Sequence, residues 1–160
     1  LSGETSIGKY PVDAVKWLLK IASTAEREAG EYSWARYSSL AREGKLDEKE
    51  RFVKGVLSMT EDLNAKLLIF TMRGTTARRA STLKPKGEVV VGCPDERILR
   101  KLSLLGSLRT IRVEAKDYEE GLNRLFEAAK AKGLVSPGDL VVLTYGLREP
   151  RQRVEVFRVI

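Results

Sequence analysis

From Asp47 onward, short apolar runs alternate with segments of helical period, and this alternation restricts the fold more than any other feature of the chain. "AKLLIFT" (65–71), "GEVVVGC" (87–93) and "LVVLTYG" (140–146) are continuously apolar at their centres, the pattern of strands covered on both faces. "LRTIRVEA" (108–115) reads as a further strand. The segments between them predict helices over 47–64, 75–83, 94–106 and 117–133. Asp47 with Glu50, and Asp117 with Glu120, have the spacing at which a capping side chain and the third helical residue satisfy each other's amides; Gly106 and Gly133 stand where helices close. The apolar face of the first of these helices is Phe52, Val53, Val56, Leu57, Thr60 and Leu63.

Strands that alternate with helices require a three-layer α/β/α domain with a mostly parallel sheet. The terminal "RVEVFRVI" alternates Val154 and Val156 with Arg153 and Glu155, as an edge strand does. The connection to it from the preceding strand is too short for a helical crossover, so the fifth strand is expected to run antiparallel. Outside this unit, Pro11 opens a helix whose Ala14, Val15, Leu18, Ile21, Ala22 and Ala25 recur at helical spacing to about Arg27 and should bury one stripe. The polar stretch that follows reads as a connection, with Trp34 and Tyr37 anchoring it against a neighbour. The layout is therefore 1–30, a connection over 31–46, and an α/β domain over 47–160.

Composition removes several function classes. Histidine is absent and cysteine occurs once, at Cys93, so a Ser-His-Asp or Cys-His catalytic group and a structural zinc site are excluded. Cys93 at the end of an apolar run reads as a small buried side chain, and no disulfide framework exists, which fits a reducing cytoplasm. No apolar run approaches the roughly 20 residues of a membrane span. A net charge of +7 suits an anionic ligand, but the basic residues are mixed with acidic ones and lack aromatic interleaving, so neither nucleic acid nor membrane is an expected partner.

In a mostly parallel sheet, the loops after the strands' carboxyl ends gather on one edge. "TMRGTTAR" after the first strand and "YGLREPRQR" after the fourth should share that edge. Gly74 permits close backbone approach, Thr71, Thr75 and Thr76 offer hydroxyls, and the amides of Thr75 and Thr76 open a helix. Arg73 adds a guanidinium suited to phosphate, with Arg78, Arg79, Arg148, Arg151 and Arg153 as supporters. These residue types make a phosphate cradle without catalytic groups. The same residues also describe a loop in which Gly and Thr turn and cap a helix while the arginines face water.

Two stretches carry a family resemblance. "LSGETSIGKYPVDAV" (1–15) resembles the "LSGETA-x-G-x-YP-x-EAV" motif of pyruvate kinases. In the later stretch, Thr71, Gly74, Thr76, Ala77, Ser81, Pro85, Arg97, Leu102, Leu104 and Gly106 stand where the pattern of their carboxy-terminal domain expects them, and "VSPGDLVVLTYG" is similar to "G-D-x-V-V-V-x-x-G". The resemblance implies that 1–30 is the end of a catalytic (β/α)8 barrel, its last helix included, and that the chain starts inside a longer enzyme, an expectation that its first residue, Leu1, shares. It further implies that the parent transfers a phosphoryl group from phosphoenolpyruvate to ADP in glycolysis, with Mg2+ and also K+ held by residues outside this segment. Ser2 and Glu4 would then border the active-site mouth, and the isolated segment would be inactive. A homotetramer assembled through the carboxy-terminal domain is implied as well.

By the same resemblance, the loop over 71–76 is the site of phosphorylated effectors such as fructose 1,6-bisphosphate. Here Arg73 replaces the usual Ser before the Gly, and the last loop lacks the Trp and "GSG" of bisphosphate-responsive members. A smaller monophosphate or an inorganic anion therefore stands beside bisphosphate as the ligand. The alternative to the enzyme is a free-standing α/β domain that binds a phosphorylated metabolite.

Asn64, Asn123 and Gln152 are the only amide side chains and charged residues make up 32% of the chain, a heat-adapted composition. A thermal unfolding scan is expected to give a midpoint above the roughly 45–65 °C of mesophilic domains. A midpoint inside that range removes the inference.

Overall fold

Strand β1, Lys66–Phe70, sends alternate side chains to opposite sides of a sheet: Leu67 and Ile69 enter one apolar cluster, Leu68 and Phe70 the other. All four are fully buried, so helices must cover both faces. The structure, a computed structural model, describes residues 1–146 and 153–160, and the side chains of 29–37 and 41 lie outside that description.

Before β1 come three helices, α1 Gly3–Ser6, α2 Pro11–Arg42 and α3 Glu48–Asp62. After it follow α4 Thr75–Thr82, β2 Val89–Cys93, α5 Glu96–Leu102, β3 Leu108–Arg112, α6 Tyr118–Ala131, β4 Leu140–Thr144 and β5 Val154–Arg158. The strands form one sheet in the order β3-β2-β1-β4-β5. Neighbours are parallel except β4 and β5, which pair antiparallel with Leu140 opposite Arg158 and Thr144 opposite Val154. The expected α/β/α layering and strand directions are thus present. One face is covered by α3, α4 and α5 through Val53, Val56, Leu57, Ala77, Ala80 and Leu102; the other is covered by α6 through Leu122, Leu125 and Ala129.

The helix starts follow the sequence. Asp47 Oδ1 accepts from Glu50 N at 2.6 Å while Glu50 Oε2 accepts from Asp47 N at 3.0 Å, a complete capping box. At α6 the box is displaced: Asp117 accepts from Glu120 N at 2.8 Å, but Glu120 accepts from Lys116 N at 2.7 Å instead of from Asp117. Leu63, expected on the apolar face of α3, is 44% exposed because the helix has already ended at Asp62.

Three expectations are corrected. The helix opened by Pro11 does not end near Arg27 but continues to Arg42, so the connection read over 31–46 is largely helical. No proline interrupts this stretch, and its Glu, Ala, Arg and Leu residues are good helix formers. The stop comes at Gly44, with φ 73, where Lys45 N reaches back to Leu40 O at 2.9 Å in a Schellman closure. The stripe of Val15, Leu18 and Ile21 is 40%, 46% and 62% exposed, not buried, because the sheet's two faces are already covered by α3 to α6. The helix read to Gly106 ends at Leu102: Ser103 Oγ turns back to Arg100 O, and the left-handed residue is Ser107, φ 65. The side chains of Trp34 and Tyr37 lie outside the described residues.

Gly121 sits in α6 where a β-carbon would overlap the Phe70 ring, so this helix packs on the sheet at a distance only glycine permits. Gly121→Ala raises helix propensity yet should destabilise the protein by about 1–3 kcal/mol through overpacking, read as a lower denaturant midpoint. An unchanged or higher midpoint means that Phe70 has room to move.

Candidate functional site

The chain winds from β1 outward to β2 and β3, then returns to place β4 on the other side of β1. The direction of winding therefore reverses between β1 and β4, and the crevice beyond the carboxyl ends of those two strands is where an open parallel sheet presents a ligand site. The loops that sequence reasoning singles out leave these strands.

Thr71 follows β1 and is 4% exposed. Its amide donates to Gly92 O at 2.9 Å, and its hydroxyl accepts from Gly74 N at 2.9 Å. That second bond closes a tight turn through Met72 and Arg73 and delivers Gly74 in the left-handed region, φ 74. Gly74 then N-caps α4 with no side chain to accept from the first turn, so the helix opens with uncapped amides at Thr75, Thr76 and Ala77. Thr75 and Thr76 are half-buried at that opening, and Arg73 is exposed beside it.

The loop after β4 reaches the same point. Gly146, φ 88, lies so close to Thr76 that an added β-carbon would be 3.2 Å from Thr76 Cβ and nearer still to its hydroxyl. Thr144, 1% exposed, uses its hydroxyl to donate to Arg153 O at 2.9 Å and to accept from Gly146 N at 3.3 Å. The structure thus brings Thr71, Arg73, Gly74, Thr75 and Thr76 together with Gly146 at one sheet edge. Arg148 and Arg151 lie outside the described residues.

The remaining arginines divide. Arg79 pairs with Asp47 at 2.9 Å, tying α4 to the cap of α3, and Arg153 pairs with Glu119 and Glu155. Among the described residues Arg73, in the turn, and Arg78, in α4, make no ion pair and are exposed. Ser2 precedes α1 as its N-cap residue and Glu4 is in α1, which packs along α2; Ser2 O accepts from Thr5 and Ser6, and Glu4 is exposed.

Backbone amides, hydroxyls and unpaired guanidinium groups at a switch point can hold an anion. They provide no nucleophile with an adjacent base. Cys93, at the end of β2, is fully buried, its Sγ lies 3.9 Å from Met72 O, and burial pushes the thiol's pKa up. Among the described residues no cluster of acidic or cysteine side chains could hold a metal ion. Two surface clefts lie elsewhere, one of about 150 Å3 at the amino ends of β1 and β2 near Thr60 and Lys86, the other between α5 and β3.

Sequence reasoning missed Thr144, Tyr145 and Glu119. Tyr145, 7% exposed, donates from its hydroxyl to Glu119 Oε1 at 3.2 Å. A threonine ending an apolar strand was a usable signal for a satisfied buried hydroxyl; Glu119 looks like any first-turn acid of a helix.

The family model for the alpha/beta domain of pyruvate kinase matches residues 50–160. A pyruvate kinase of Pyrobaculum aerophilum is 36% identical over 156 residues, covering 98% of this chain and 30% of that protein. One of Thermotoga maritima is 32% identical, over 92% of this chain and 31% of its own length. The chain thus spans about a third of the curated relatives that it matches. Among solved structures, the crystal structure of the P. aerophilum pyruvate kinase superimposes with a TM-score of 0.66 at 32% identity, covering 97% of this chain and 31% of that one. A Cryptosporidium parvum pyruvate kinase shares the fold, with a TM-score of 0.72 at 22% identity over 100% of this chain and 32% of that one.

Burial predicts that Cys93 is inert in the folded protein. A thiol reagent should label it only after denaturant is added. Stoichiometric labelling of the native protein contradicts the packing described for β2.

Proposed function

The chain belongs to the pyruvate kinase family, and from that premise we propose that it is the carboxy-terminal portion of a pyruvate kinase, whose whole enzyme moves a phosphoryl group from phosphoenolpyruvate to ADP. Matches over nearly the whole chain but about a third of each relative support the reading of a segment. In this proposal residues 1–30 close the catalytic barrel, with Ser2 and Glu4 at its rim, and 47–160 form the regulatory and assembly domain. The exposed apolar stripe of Val15, Leu18 and Ile21 supports the first part, since a helix with such a face is built to be covered.

Magnesium, and potassium with it, would be held outside this segment, whose described residues do not fit a metal. No step of phosphoryl transfer is assigned to this chain's own residues. The segment by itself lacks the positioned cations that such a transfer needs, and it should be inactive in isolation. A cytoplasmic location is part of the same proposal, as the family reading implies; among the described residues no helix is long and apolar enough to cross a membrane.

The role proposed for the α/β domain is to bind a phosphorylated effector at Thr71, Arg73, Gly74, Thr75 and Thr76, with Arg148 contributing from the last loop. The observation that carries it is the approach of Gly146 to Thr76 over an uncapped helix start at the sheet's switch point. Thr71 serves that site by building the turn, and Arg73 supplies charge. Assembly as a homotetramer through this domain is the second role, supported by Val154 and Val156, 36% and 44% exposed on the edge strand β5.

In the full-length protein, Arg73→Ala and Thr76→Val should each weaken binding of inorganic phosphate or a hexose monophosphate by about 3- to 10-fold. Phosphotransfer without effector should be unchanged. Identical titrations in variants and wild type would remove the site, and absence of phosphotransfer from phosphoenolpyruvate to ADP would remove the parent activity.

A further inference from the structure

Residue types place Arg153 among the cations that could support an anion, yet its guanidinium is already engaged. It pairs with Glu119 in the first turn of α6 and with Glu155 two residues along its own strand. We propose that Glu119 and Arg153 form a latch that fixes Tyr145 and Gly146 at the end of β4 and Arg153 at the start of β5, so that Arg153 shapes the phosphate cradle as a positioning residue and does not contact the anion. This rests on reading that cradle as a phosphate site.

The two strand ends are joined at two levels. At the base, the buried Thr144 hydroxyl bonds Gly146 N after β4 and Arg153 O before β5. Further out, Glu119 repeats the arrangement with charge, accepting from the Tyr145 hydroxyl at 3.2 Å and pairing with Arg153. Tyr145 is itself held at a ring distance of 5.4 Å by Tyr118, which in turn stands 5.9 Å from Phe70. A rigid aromatic column therefore sets where Glu119 meets the loop, and Glu119 sets where Arg153 returns.

Direction and charge exclude the supporting role. Arg153, Glu155 and Phe157 are two residues apart and share a side of the chain, and Phe157 packs on Phe126 of α6 at 5.1 Å. Arg153 thus faces the layer of α6, whereas the cradle opens from α4 on the other layer. Two carboxylates around one guanidinium also leave a local excess of negative charge, which repels a further anion. What the latch delivers to the cradle is Gly146, held against Thr76.

A double-mutant cycle in the full-length protein separates latch from contact by sign. Glu119 is 53% exposed, so its replacement leaves the core intact. With inorganic phosphate and a hexose monophosphate as probes, Glu119→Gln and Arg153→Gln should each weaken binding by about 2- to 5-fold, and the double variant should be no weaker than the worse single one. Glu119→Asp should recover part of the loss. If Arg153 contacts the anion, Glu119→Gln frees it and tightens binding while Arg153→Gln weakens it, and the proposal is overturned. Hydrogen exchange in the peptide spanning 140–146 is read on the wild type and the three variants of the cycle. The latch requires faster exchange there in both single variants, and unchanged exchange overturns it even if the wild type binds neither probe, a result that would separately remove the phosphate reading.

Discussion

A strand buried from both sides has no water at its end, and the architecture around the site follows from that constraint. β1 lies at the centre of the sheet with Leu67, Leu68, Ile69 and Phe70 fully buried, so the chain leaving it must satisfy its polar groups internally. Thr71 does this in two directions, donating its amide to Gly92 O and accepting Gly74 N on its hydroxyl. The second bond turns the chain at once, forces Gly74 into the left-handed region, and starts α4 with amides that no side chain caps. β4 meets the same constraint with Thr144, whose hydroxyl is bonded on both sides. Among the described residues no buried side-chain nitrogen or oxygen lacks a partner. At the switch point the amides that open α4 have no side-chain cap.

Much of this frame was readable because its causes are local. Continuous apolar runs located β1, β2 and β4; the spacing of Asp47 and Glu50 located α3; and the short connection after Thr144 implied an antiparallel β5. The misreadings have causes of another kind. The extent of α2 depended on the lack of any stop before Gly44, a weaker signal than the polar composition that suggested a connection. The end of α5 depended on Ser103 bonding backward, which competes with the glycine signal three residues on.

The site was readable to a similar depth. Its residue types identified the turn after β1, the α4 start and the edge shared with the end of β4, while the same Gly and Thr equally describe a plain turn and helix start. The engagement of the arginines was not readable. Whether Arg79 reaches Asp47, or Arg153 reaches Glu119, depends on partners 32 and 34 positions away in the chain, which only the fold brings near. A count of basic residues therefore overstates the cations a ligand would meet. Of the 29 Lys and Arg side chains, several are engaged locally by pairs such as Arg109 with Glu88 and Arg112 with Glu96 and Glu114, while Arg73 and Arg78 make no ion pair among the described residues.

The same pairs distinguish the two edges of the sheet. An edge strand offers unpaired backbone groups to any other chain, and charge is a common means of blocking it. β3 is guarded in this way, with Arg109 and Arg112 each held by neighbouring carboxylates across and beside the strand. Among the described residues no ion pair stands beside the outward valines of β5, since its own arginine at 158 bends back to Gly138 O and its glutamate at 155 is taken by Arg153. If a second subunit joins this domain through its sheet, β5 is the edge that admits it. The latch at Arg153 lies at the start of that strand, one residue before Val154, so whatever holds Arg153 also fixes the register at which the edge begins. Ligand site and assembly edge would then share a single arginine as their mechanical link.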